Sequence, residues 1–159
     1  MSIKILHSNM DIVSKRKRSE MMSNIRGKNT GPELLVRKYL TAKSIRYHLH
    51  KRKLPGSPDI VNEKKKFVIQ IRGCFWHAHN CKLFKLPKTN KKFWREKLSL
   101  NKIRDKKNDR KIRKMGYRLL CIPECKIRDE KYKLILSKFL GYLSWYLWQC
   151  LLKEVLFGW

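Results

Sequence analysis

At 159 residues, with 40 Lys and Arg against 12 Asp and Glu, the chain carries a formal net charge of +28. That length gives one domain with a two-layer core. The charge runs from Lys15 to Lys138, which excludes a short targeting tag as its source and points to a polyanionic partner, nucleic acid first and an anionic membrane surface second.

Five cysteines, an odd number with no secretory leader ahead of them, argue against a disulfide framework and lead us to expect a reducing cytoplasm. Met1 to Ile12 has no periodicity, so residues 1–14 are expected to be a mobile N-terminal segment. Lys15 to Arg18 is a basic cluster that reads as a solvated arm able to track phosphates, and Ser19 to Arg26 as a short helix. Thr30-Gly31-Pro32-Glu33 is a helix start, with Thr30 as the cap, Pro32 in the first turn and Glu33 completing a capping box. On this reading Glu33 has no role beyond the cap. Leu35 with Tyr39, and Val36 with Leu40, make the apolar face of the helix that follows.

Leu54 to Asp59 (LPGSPD) is a turn cluster that delivers the chain into a short strand at Ile60 and Val61; Asn62 to Lys65 turns it back, and Phe67 to Ile71 forms a second strand. Asp59 therefore stands at the mouth of a hairpin, where its hard oxygens suit Mg²⁺, unless it is a plain turn Asp after proline. Gly73 to Cys81 concentrates chemistry: two thiols, two imidazoles and an adjacent Phe75-Trp76 pair. Cys74, His79 and Cys81 have a spacing that suits three ligands of tetrahedral zinc. Cys121, Cys125 and Cys150 are available as the fourth, and Cys125 is preferred because it follows the apolar run Tyr117 to Ile122, whose end can reach a distant loop. Cys121, alternating with Leu119 and Tyr117, reads as a small core residue. The spacing leaves His77 three readings: a general base, a fourth zinc ligand in place of Cys125, or a satisfied loop imidazole. Phe75 and Trp76 are either core or a stacking surface for bases.

Asn90 can cap a long, lysine-rich helix running to Met115 with Gly116 as its stop. Asp105 within it reads as a surface ion-pair partner or as the carboxylate that orients a catalytic His. The strand Tyr117 to Ile122 follows. From Leu134 the chain turns apolar, and Phe139 to Leu152 holds no charge, yet its 14 residues fall short of the roughly 20 that span a bilayer. We expect a buried or interfacial helix over residues 134–159, on the same domain as residues 15–133.

Together these residues resemble the very short patch repair endonuclease family of DNA mismatch nicking enzymes over roughly residues 15–130. The shared motifs, in order, are RSEMM (Arg18 to Met22), RGKNTGPE (Arg26 to Glu33), LPGSPD (Leu54 to Asp59), GCFWHAHNC (Gly73 to Cys81), FKLP (Phe84 to Pro87), FWREK (Phe93 to Lys97), NKIRD ending at Asp105, and PEC ending at Cys125. The resemblance implies an α/β fold like that of the type II restriction endonucleases, a mixed central sheet flanked by helices with a structural zinc site. It implies hydrolysis of one phosphodiester 5′ to the thymine of a T:G mismatch left by deamination of 5-methylcytosine. Its catalytic residues fall on Asp59, His77, Asp105 and Glu33. Its Mg²⁺ ligands fall on Asp59 and the carbonyl of Ile71, and its Zn²⁺ ligands on Cys74, His79, Cys81 and Cys125. Its DNA wedge falls on Phe75, Trp76 and Trp94, with Met22 entering from the opposite groove. Double-stranded DNA is the implied partner of a cytoplasmic monomer free of the membrane, with mismatch-repair proteins of the MutL type as protein partners.

The chain departs from the family at Arg72, where His or Asp is common; Arg cannot accept a proton, although it can clamp a phosphate. Ala78 and Asn80 stand where some members have more His, and Ile71 where a hydroxyl is frequent. The apolar segment after Leu134 has no counterpart in the family. A catalytically impaired DNA-binding relative, signalled by Arg72, and a membrane-surface protein are the competing classes.

Overall fold

The computed structural model describes residues 14–23 and 27–141. In chain order its elements are helix α1 (Lys15–Ser23), helix α2 (Gly31–Ala42), strands β1 (His48–Leu49), β2 (Ile60–Asn62) and β3 (Phe67–Arg72), the long helix α3 (Lys91–Lys114), strand β4 (Arg118–Pro123) and helix α4 (Glu124–Arg128). Residues 132–141 are again helical. The strands form one sheet in the order β1-β2-β3-β4. The first two pairings are antiparallel and β3–β4 is parallel, a pairing that needs a crossover connection, here supplied by α3.

Side chains alternate across the sheet, and the two faces carry separate cores. Ile60, Phe67, Ile69 and Ile122 face Val36 and Leu40 of α2 together with Tyr132 and Leu136, while Val61 and Val68 face Leu54, Tyr117 and Ile112 of α3. The sheet is therefore mixed and covered by helices on both sides, and Tyr132 and Leu136 tie residues 132–141 into the first core. Among the described residues no helix is long and apolar enough to cross a membrane.

Several local expectations change. The Lys15 to Arg18 cluster lies in α1, with Arg16 and Lys17 exposed; residues 24–26, where the helix was expected to end, fall outside the described part, as do residues 1–13 and 142–159. Thr30 caps α2, its Oγ1 accepting from the Glu33 N–H at 3.4 Å. The Glu33 carboxylate does not close the box on Thr30: its Oε2 accepts from the Asn29 N–H at 2.8 Å, one residue further back. The buried stripe of α2 is Glu33, Val36 and Leu40, and Leu35 is 45 % exposed. Asn90 precedes α3 in a left-handed conformation and makes no side-chain cap bond. Strand β1, two residues long, was not expected at all.

Cys121 is not a core residue. It sits on the α3 side of β4 as its alternation with Leu119 requires, but beyond the apolar cluster, where Gln70 Oε1 and Asp109 Oδ2 lie 3.9 and 4.0 Å from its sulfur. Burial pushes its thiol up to about 11.

Candidate active site and zinc centre

β3 and β4 run parallel and end side by side at Arg72 and Pro123, so the segments leaving them meet at one edge of the sheet. Asp59 is brought to that edge by the LPGSPD turn. Gly56 in this turn has φ +75°, and a Cβ there would come within 3.0 Å of the Asn108 side chain on α3, so both backbone conformation and close packing require glycine. Asp59 Oδ2 accepts from the Ile71 N–H at 2.7 Å. In a strand the N–H and C=O of one residue point to the same edge, so the Ile71 carbonyl is directed to the side where Asp59 stands. Burial raises the Asp59 pKa above its ordinary value; the Ile71 hydrogen bond opposes this, and the nearby Glu33 carboxylate adds to it. A carboxylate whose ionisation is resisted by burial and by a second acid, next to a strand-edge carbonyl, is a donor set that a hard divalent cation fits.

His77 comes from the loop after β3, a tight run of turns in which the His77 N–H donates to Gly73 O at 3.2 Å, the His79 N–H to Cys74 O at 2.9 Å, and Ala78 takes φ +44°. Its Nδ1 lies 2.6 Å from Asp105 Oδ2. With Nδ1–H donating to that carboxylate, Nε2 keeps its lone pair for another group. Asp59, Ile71, His77 and Asp105 line one open cleft of about 530 Å³, with Lys28 and Arg104 also on its walls. Such a cleft can hold an anionic ester between an acidic, cation-holding side and a base.

Arg72 reaches into the same cleft, but its Nη2 donates to Gln70 Oε1 at 2.7 Å and to Asp109 Oδ1 at 2.6 Å. Its charge is thus matched internally, and its Nε is buried without a hydrogen-bond partner among the described residues. Glu33 is 2 % exposed and lies behind the cleft wall, 3.2 Å from His50, which lines it. Sequence reasoning missed His50, Asp109 and Asn101. The available signals were the His50 position just ahead of the turn that carries Asp59, and the spacing of Asn101, Asp105 and Asp109, four residues apart on one helix face.

That face of α3 organises the site. Trp94 packs edge-on against Phe75, Asn101 Nδ2 donates to the Trp76 carbonyl at 3.1 Å, Asp105 holds His77, Asn108 backs Gly56, Asp109 holds Arg72, and Ile112 enters the core. Along the helix, Trp94, Asn101 and Asp105 meet Phe75, Trp76 and His77 of the loop in the same order, and Asp109 meets Arg72 at the end of β3.

At the far side of the loop, Cys74, His79, Cys81 and Cys125 present donor atoms that all lie within 4.8 Å of one another. Cys125 enters at the start of α4, where its N–H donates to Cys74 Sγ at 3.4 Å. His79 Nδ1 is 3.5 Å from Cys125 Sγ and 3.8 Å from Cys74 Sγ. Tetrahedral zinc, with bonds of about 2.3 Å to sulfur and 2.0–2.1 Å to nitrogen, separates S and N by roughly 3.5 Å, so the set fits that ion. Without a cation three clustered thiols cannot all ionise: burial pushes Cys74 up to about 12, whereas the hydrogen bond to His79 brings Cys81 down to about 7. His77, engaged with Asp105, stands outside this group. The ligands come from the ends of β3 and β4, so an ion here would pin the loop that carries His77.

Phe75, Trp76, Trp94 and Phe93 form an aromatic cluster, with centroids 5.1 Å apart for Phe75–Trp76 and 5.3 Å for Phe93–Trp94. Lys97 Nζ lies 5.4–5.9 Å from the rings of Phe93, Trp94 and Trp76. Phe93 is 53 % exposed while Phe75, Trp76 and Trp94 are half-buried, so the cluster lies at the surface beside a cation. Met22 lies in α1, but its side chain is outside the described part.

The family model of the DNA mismatch endonuclease Vsr matches residues 10–83. A type II nicking enzyme of Neisseria meningitidis, V.NmeAIP, is 41 % identical over 120 residues, 76 % of this chain and 86 % of that protein. V.XorIIP, a type II nicking enzyme of Xanthomonas oryzae, is 36 % identical over 75 % of this chain and 88 % of its own length. The DNA mismatch endonuclease Vsr of Escherichia coli K12 is 36 % identical over 76 % of this chain and 78 % of its own length.

Proposed function

The chain belongs to the DNA mismatch endonuclease Vsr family, and on that premise we propose that it nicks one strand of duplex DNA 5′ to the thymine of a T:G mismatch, the lesion left by deamination of 5-methylcytosine, and so initiates very short patch repair. The observation that carries this reading is the His77–Asp105 hydrogen bond of 2.6 Å in the cleft that also holds Asp59. The fold we infer is of the restriction-endonuclease type, and its mixed sheet with helices on both faces agrees with this.

Asp59 and the Ile71 carbonyl would hold Mg²⁺, which would supply Lewis-acid stabilisation of charge on the phosphate and the leaving oxygen. His77 Nε2 takes the proton of the attacking water, and Asp105 holds the ring in the tautomer that leaves Nε2 free. Glu33 supports Asp59 from behind. Zn²⁺ on Cys74, His79, Cys81 and Cys125 is structural. Phe75, Trp76 and Trp94, with Met22 from the opposite groove, wedge beside the mismatch; unstacking there costs least, so the wedge itself contributes selectivity. The net charge of +28 supplies affinity that carries no sequence information. Arg72 is matched by Asp109 and contacts a phosphate through its remaining donors. The enzyme acts as a monomer in the cytoplasm, with MutL-type proteins as partners.

The test is a pair of end-labelled duplexes that differ only in one T:G or C:G pair, incubated with the protein and Mg²⁺. A single nick in the T:G duplex alone is expected. Equal cutting of both duplexes, or of neither, refutes the reading.

A further inference from the structure

We propose that Asp109 is a positioning residue for the nicking reaction. With Gln70 it holds the Arg72 guanidinium at the cleft wall so that Nη1, the one nitrogen left open, meets an oxygen of the scissile phosphate. The inference rests on the nicking reading above for the reaction it serves, and on separate observations for the device itself.

On the side of the sheet that packs on α3, alternate residues of β3 are Val68, Gln70 and Arg72, and Leu119 and Cys121 of β4 stand opposite Val68 and Gln70. Val68 and Leu119 belong to the apolar cluster with Ile112. Beyond them this face turns polar, and Gln70, Arg72 and Asp109 all line the cleft. Arg72 Nη2 donates to Gln70 Oε1 at 2.7 Å and to Asp109 Oδ1 at 2.6 Å. Nε is buried, whereas Nη1 makes no hydrogen bond with a described residue and is not shut off from solvent. With each Nη2 hydrogen on its own acceptor, one on β3 and one on α3, the plane of the rigid guanidinium is set, and the direction of Nη1 with it.

Stability alone does not call for this arrangement. The Arg72 and Asp109 side chains are 20 % and 12 % exposed, and apolar residues in place of such a pair are often neutral or stabilising. Continuing the apolar face of Val68 and Leu119 would have closed the layer. The cleft wall carries two other cations, Lys28 and Arg104, but both are exposed. A solvated cation with free choice of rotamer steers an anion toward the cleft more than it fixes one there. Of the three, only Arg72 is held by acceptors among the described residues. A donor already in place needs no reorganisation when negative charge builds on the phosphate, and arginine keeps its charge at any working pH. Asp109 thus acts on the reaction through Arg72 and touches no substrate.

The full chain is assayed by single-turnover nicking of a T:G duplex at saturating protein, beside duplex affinity and a thermal melt. Arg72→Ala is expected to nick about 10²- to 10³-fold more slowly, the effect of removing one preorganised donor from developing charge. Its duplex affinity is expected to stay within about threefold of wild type, since the contact serves the transition state. Asp109→Asn is expected to slow nicking at least about tenfold, and its combination with Arg72→Ala to nick within about threefold of Arg72→Ala alone. Guanidinium chloride, far below denaturing concentration, is expected to restore nicking at least about tenfold in Arg72→Ala and not in the double variant. A pair that only held the fold together would show no rescue of rate at an unchanged melting temperature. Arg72→Lys keeps the charge beside Asp109 and covers the case in which Arg72→Ala fails to fold. It is expected to melt near wild type and to nick at least about tenfold more slowly, since an ammonium presents no fixed fork. Nicking by Arg72→Lys within about threefold of wild type, losses that multiply in the double variant, or rescue that persists without Asp109 each overturn the proposal and leave the nicking reading standing. A wild-type chain that nicks neither a T:G nor a C:G duplex overturns both.

Discussion

Replacing Asp105 by Asn probes the centre of the proposed chemistry, because it keeps the shape of the site and changes one charge. The Asp105 carboxylate lies 2.6 Å from His77 Nδ1, and the two side chains are 14 % and 27 % exposed, so solvent screens the pair only partly. Hydrogen bonds to charged groups contribute about 1.5–3 kcal/mol, which converts to about 10- to 150-fold in rate if the whole of it serves the transition state, where His77 becomes positive. An Asn has a second route to harm: turned to present its NH₂ to Nδ1, it drives the ring proton to Nε2 and removes the base, a loss of about 10²–10⁴. We expect a fall of about 10² or more in the single-turnover nicking rate of a T:G duplex under saturating protein, with binding and zinc content unchanged. His77→Ala alone and His77→Ala combined with Asp105→Asn should nick at rates within about threefold of each other, because a positioning group has nothing to position once the base is gone. A variant Asp105→Asn that nicks within about threefold of wild type, or effects that multiply in the double variant, refutes the assignment.

Cys125→Ala should lose its stoichiometric zinc and much of its stability, since structural zinc binding is worth about 10–16 kcal/mol in small modules, whereas Cys121→Ala should keep the metal; zinc analysis beside a thermal melt separates them, and retained zinc in Cys125→Ala refutes the ligand set. Trp76→Ala should narrow the affinity gap between T:G and C:G duplexes while leaving the slope of log affinity against log salt unchanged; equal weakening of both duplexes returns Trp76 to a packing role. Asp59→Ala should reduce nicking to background while mismatched duplex is still bound, and a wild-type rate would move the metal elsewhere. The Asp59 pKa is raised by burial above 3.8, so ionising it destabilises the fold as pH rises from that value through the folded-state pKa. Asp59→Asn should therefore melt higher than wild type at neutral pH without added Mg²⁺, the gain shrinking as pH falls toward 3.8; a lower melting temperature at neutral pH would contradict this.

What could be read from sequence follows the range of the interactions. Cys74, His79 and Cys81 lie within eight residues, so their geometry is local and legible, and the hairpin of β2 and β3 is marked by apolar runs around a lysine-rich turn. β1 was invisible because two residues make no pattern, and it exists only through pairing with Ile60 and Val61. His50 and Glu33 were invisible as a pair for the same reason: 17 positions apart, they meet only after α2 and β1 pack on the same end of the sheet. Glu33 was read as a cap because Thr30 and Glu33 have the spacing of one; burial at 2 % exposure is a tertiary fact. Cys121 was misread because alternation gives the face of a strand but not where along that face apolar packing stops. Asp109 went unread because an acid in a run of lysines has a cheap explanation, and only the arrival of Arg72 from β3 makes it a buried partner.

The order of contacts along α3 links recognition to chemistry. Trp76 and His77 are consecutive residues, so a wedge that moves on meeting DNA carries the proposed base with it. Two neighbours on the helix restrain that movement, Asn101 at the Trp76 carbonyl and Asp105 at the His77 ring, 3.1 and 2.6 Å away. A helix is stiff over one turn, so the two restraints act as one, while the other end of the loop is tied to β4 through the Cys125 cluster. Trp76 and His77, the proposed wedge and base, are therefore mounted on one piece, and Asp59 on another, the β2–β3 hairpin, joined to α3 through the Gly56–Asn108 contact. On the proposed function, a duplex that refuses the wedge would therefore hold its phosphate away from both His77 and Asp59.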